Sequence, residues 1–73
     1  MMMNGTLDNT IIQVVARTQR DVQRGVLPWM VQARLDVPLH EVNVRRRMRD
    51  LWRNGKLERV GGAGCRRGYK VAA

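Results

Sequence analysis

The chain has 73 residues, with one cysteine, one histidine and two prolines. A lone Cys65 cannot form an intrachain disulfide, and with His40 it makes no grouping able to hold a structural zinc, so a reducing compartment fits. Long apolar runs are also missing. The longest are a few residues, against roughly 20 for a helix that spans a bilayer, and no membrane segment is expected. Met1-Met2-Met3-Asn4-Gly5 has neither the basic stretch nor the apolar core of an export signal, so the expected location is the cytoplasm, in association with the nucleoid. Acidic residues are scarce, six against fourteen basic. Few carboxylates are left for proton transfer, no nucleophile–base pair is visible, and Gly61-Gly62-Ala63-Gly64 does not lead into a phosphate-loop helix. No enzymatic activity, metal, cofactor or small-molecule ligand is expected.

What is present is enough for one packed domain. Hydrophobic residues make up 44% of the chain, which argues against wholesale disorder. A core of this size supplies only about 3–5 kcal/mol of net stability, so self-association as a homodimer is a possible support. Residues 1–8 are expected to be a flexible start and residues 9–73 the folded domain.

Charge is the informative quantity. The formal net charge is +8, and its distribution is uneven. Residues 1–42 hold Arg17, Arg20, Arg24 and Arg34 against Asp8, Asp21, Asp36 and Glu41, and are neutral. The whole excess falls in residues 43–73, where arginine dominates. A GC-rich genome explains arginine over lysine, but not confinement of the charge to one half. The planar guanidinium suits bidentate contact with phosphate and with guanine edges, so a nucleic-acid partner is expected.

Periodicity divides the chain into helices followed by a hairpin. Ile11, Ile12, Val15 and Ala16 recur at helical spacing after a cap at Asp8 or Asn9, predicting a helix over about residues 9–23 that stops at Gly25. Gly25-Val26-Leu27 reads as extended, because the residue before a proline is pushed out of the helical region. Pro28 suits a first helical turn, and Trp29, Met30, Ala33 and Leu35 predict a short helix broken at Pro38. Leu39 to Val42 is either a long turn or the first turn of the next helix. Val44, Met48 and Leu51 fall at i, i+4 and i+7, predicting a third helix capped by Asn43 and ended by Gly55. Lys56 to Val60 alternates polar and apolar, and Tyr69-Lys70-Val71 alternates again, so a hairpin with a glycine-rich basic tip is expected.

The stretch from Val44 through Met48, Leu51, Gly55 and Leu57 to Val60 resembles winged helix-turn-helix domains, and the order of elements matches that family from about residue 9 onward. The resemblance implies an α+β fold of three helices and a C-terminal β-hairpin wing. It also implies a way of docking on B-form double-stranded DNA: the third helix in the major groove and the wing over the backbone or the adjacent minor groove. Residues implied at the interface are Asn43, Arg45, Arg46, Arg49, Arg53, Arg66, Arg67 and Lys70, with His40 near the helix start. The turn before the third helix is about two residues longer than usual. Left-handed-DNA-binding winged helices carry an asparagine and a tyrosine on this helix; Arg45 and Arg49 stand there instead. The expected function is a sequence-specific transcriptional regulator of phage or prokaryotic type. The alternatives are a protein–protein adaptor or an accessory factor of a replication or RNA complex.

Several residues carry two readings. Trp29 and Trp52 could stack on bases, but at helical spacing beside Met30 and Leu51 they are expected in the core. Tyr69 is expected to pack at the base of the wing. Arg47 falls on the apolar side of its helix and is expected to bury its stem and pair its head with an acid such as Asp50 or Glu41. His40 is expected on the surface. Cys65 lies among Gly64, Arg66 and Arg67, where cations could make a thiol reactive, yet a plain loop position is the simpler reading.

Overall fold

A first helix, α1 (Met2–Val22), buries Ile11, Val14, Val15 and Thr18, the i, i+3, i+4, i+7 stripe of a helix packed along one side. The computed structural model describes residues 2–22, 24–61 and 68–72. At about 1.5 Å per residue, 21 residues run roughly 31 Å, close to the molecule's longest extent of 33 Å. The predicted start at residue 9 is therefore seven residues late. Asp8 does not cap: its carboxylate takes Nη1 of Arg47 at 3.2 Å, and Leu7 packs against the core. Tertiary partners for these two side chains support the extra turns against the local capping signal. The buried stripe is also turned slightly from the predicted one, with Val14 and Thr18 inside and Ile12 and Ala16 only half-buried.

Helix α2 (Pro28–Arg34) follows the extended Leu27, whose carbonyl accepts from the amides of Met30 and Val31 at 3.0 and 3.3 Å. Seven residues are too few for a stable helix alone, and burial of Met30 and Val31 against its neighbours holds it. Helix α3 (Glu41–Arg53) begins two residues before the predicted cap. His40 is the N-cap, with Nδ1 accepting from the Val42 amide at 3.3 Å, while Asn43 lies inside the first turn. Leu39 to Val42 therefore divides between the end of the turn and the start of the helix. At the other end, Gly55 adopts a φ of 81°. The Lys56 amide reaches Leu51 O at 2.8 Å and the Gly55 amide reaches Trp52 O at 3.1 Å, the paired bonds of a Schellman ending.

Strands β1 (Leu57–Arg59) and β2 (Tyr69–Val71) pair antiparallel, with Leu57 opposite Val71 and Arg59 opposite Tyr69. The far side of β2 is also occupied. Val26 exchanges both backbone hydrogen bonds with Tyr69, at 2.8 and 2.9 Å, and Gln19 Oε1 accepts from the Val71 amide at 2.9 Å. The segment read as extended thus adds a single bridge beside the hairpin, and α1 closes the rest of that edge. Gly68, at a φ of 92°, passes so close to Val26 that an added Cβ would lie 2.5 Å from its carbonyl oxygen. The molecule is an α+β domain of three helices followed by a two-stranded hairpin. Its core joins Ile11, Val15, Val26, Val31, Val44, Met48 and Leu57 from every layer.

Candidate nucleic-acid interface

Burial of Val44, Met48 and Leu51 fixes which way α3 faces. With those three turned to the core, Arg45, Arg46, Arg49 and Arg53 are left exposed, as predicted. Arg46, Arg49 and Arg53 stand at i, i+3 and i+7, a spacing that aligns side chains along one face of a helix. Among the described residues no carboxylate pairs with any of these three. Arg45 differs, since its guanidinium meets Glu41 at 3.1 Å across one helical turn. Asn43 is exposed in the first turn, one turn before Arg46. Val42 shares the arginine face and is 47% exposed, an apolar group at the head of a cationic row that no periodicity in the sequence marks out.

Arg47 is held back from this face. It is half-buried and bonded to Asp8 of α1, so the expected structural role, a buried stem with the head on an acid, is what the structure shows, with Asp8 as an acid the sequence did not suggest. α1, extended past its predicted start, is what brings Asp8 there.

The hairpin carries further cations, of which Arg59 lies against α3. Lys70 is exposed and pairs with Glu58, directly opposite on β1, at 3.6 Å. Arg59, absent from the predicted set, lies with its guanidinium carbon 4.2 Å from the centre of the Trp52 ring, a cation–π distance. Trp52 follows Arg45 and Arg49 at i+7 and i+3, so Arg59 sits against the flank of α3 that those arginines occupy. The available signal was alternation: Arg59 shares a strand face with the buried Leu57. Trp52 is half-buried against the core, near expectation. Trp29 is not in the core; it is 52% exposed, because Leu27, Met30, Val31 and Leu35 take the inward side of the short helix. Tyr69 is buried, as predicted. Arg66, Arg67 and Cys65 lie outside the described residues.

Among the described residues there is no group of three or more His, Cys, Asp or Glu side chains fit for a metal ion, and no helix is long and apolar enough to cross a membrane. The geometry is thus an exposed helical row of arginines, backed by a rigid core and flanked by an arginine seated on tryptophan. Comparison of the chain with protein-family models, with curated proteins and with solved structures gave no match.

Proposed function

We propose that this protein is a winged helix-turn-helix module that binds B-form double-stranded DNA, with α3 in the major groove and the hairpin over the adjacent backbone or minor groove. The observation that carries the reading is the row Arg46, Arg49 and Arg53, exposed and without carboxylate partners among the described residues. Guanidiniums left unpaired on a convex helix suit an external polyanion better than an intramolecular role. The major groove, about 12 Å wide, admits a helix. Arg49 at mid-helix suits the guanine edge, Arg53 near the exit suits phosphate, and Val42 offers an apolar contact for a thymine methyl. Arg45, Asn43 and Lys70 extend the surface, with Arg66 and Arg67 assigned to the tip of the wing. Regulation of transcription is the proposed purpose.

Binding assays with each arginine removed test this. Arg49→Ala should relax preference at one or two base pairs, costing about 1–3 kcal/mol of discrimination. Arg53→Ala should weaken all duplexes alike. Parental affinity for every duplex in both variants would refute the assignment.

A second reading has one observation in its favour. Trp29, on the outer side of α2, is half-exposed, and a protein partner could bury it, as in an adaptor. No duplex affinity in the parent, together with binding of a protein partner that Trp29→Ala removes and loss of the α3 arginines does not, would favour that reading.

A further inference from the structure

The end of α1 and the hairpin enclose an open cleft of about 400 Å³, lined by Arg24, Arg59, Lys70, Glu58, Gln19 and Gly61 among others. Its lining is cationic: three basic side chains against one carboxylate, and Lys70 already answers that carboxylate at 3.6 Å. Arg24 is exposed and forms no ion pair with a described residue. Gln19 spends its carbonyl oxygen on the Val71 amide, and its remaining amide group can only donate. Donors therefore outnumber acceptors around a space of the size that takes an anionic group with its waters. Arg59 belongs to both surfaces, since it lines this cleft and also stacks on Trp52 of α3. The cleft and the arginine row are thereby joined through one side chain. Arg24 comes from the half of the chain with no net charge, so the charge split along the sequence hides this site.

We propose that the cleft binds a phosphate group, supplied by the backbone of the same duplex that α3 contacts, with Arg24 as a direct ligand. The proposal rests on the duplex-binding reading and extends the footprint to the end of α1. Arginine's fork matches phosphate geometry.

The test is duplex affinity against salt concentration for the parent, Arg24→Ala and Arg17→Ala. Arg17 is an exposed arginine of α1 outside the cleft, so its removal costs the same charge without touching the site. Each lost phosphate contact lowers the slope of log K against log salt by about 0.9. Arg24→Ala should show that loss and Arg17→Ala should not. An unchanged slope in Arg24→Ala, or the same loss in both variants, overturns the proposal. If the parent binds no duplex, the proposed function itself fails. Inorganic phosphate titrated into the protein alone then decides the cleft. Saturable shifts of the Gly61 and Lys70 amides that vanish in Arg24→Ala keep the phosphate site and assign it to a free ligand; no saturable shift overturns the site.

Discussion

Thr18 is 1% exposed on the buried stripe of α1, and its hydroxyl oxygen has no hydrogen-bond partner among the described residues. A buried hydroxyl left unpaired costs about 1–3 kcal/mol in lost hydration. Thr18→Val keeps the branched shape and removes the polar atom, so a gain of about 1 kcal/mol is expected, read as a melting temperature higher by roughly 4–8 °C for a domain this small. Glycines make the opposite case. At Gly68 a Cβ meets the Val26 backbone, so Gly68→Ala must break the bridge to Tyr69; the expected loss exceeds about 2 kcal/mol. Gly55 has the same sign of φ but open space around it, so Gly55→Ala should cost only the conformational strain, about 1 kcal/mol. Urea titration of the two variants side by side checks the contrast; equal losses would mean that the approach to Val26 does not matter.

At the scale of elements, the parts of the fold with strong local periodicity were readable in the residues. Val44, Met48 and Leu51 located α3 and its exposed arginines, because one face of that helix is apolar and the other charged. Tyr69 to Val71 was readable from alternation. The errors arose where a tertiary partner outweighed a local signal. Asp8 has the composition of a cap but pairs with Arg47, and α1 continues through it to Met2. Trp29 has the composition of a core residue, but seven residues of helix have one inward side and smaller side chains fill it. Arg24 was invisible as a site residue, since Glu58 and Lys70, which line the cleft with it, are distant in sequence, and alternation put Arg59 on the strand face of the buried Leu57. The Asp8–Arg47 pair should be measurable as a coupling between α1 and α3. A double-mutant cycle on Asp8→Ala and Arg47→Ala should give about 0.5–1 kcal/mol of interaction; strictly additive losses would show that the pair contributes nothing.

For the molecule as a whole, folding turns an uneven charge sequence into a surface. The apolar side of α3 is buried against α1, α2 and β1, so its arginines face outward together and Arg59 continues them onto the hairpin. With about six phosphate contacts, log K should fall against log salt with a slope near −5. Mapping backbone amide resonances during titration with a duplex tests the interface most directly. Perturbations concentrated on residues 42–53, Arg59 and the cleft by Arg24, with the outer side of α2 unchanged, are the predicted result. Perturbations centred on Trp29, or spread evenly over the whole chain, would contradict it.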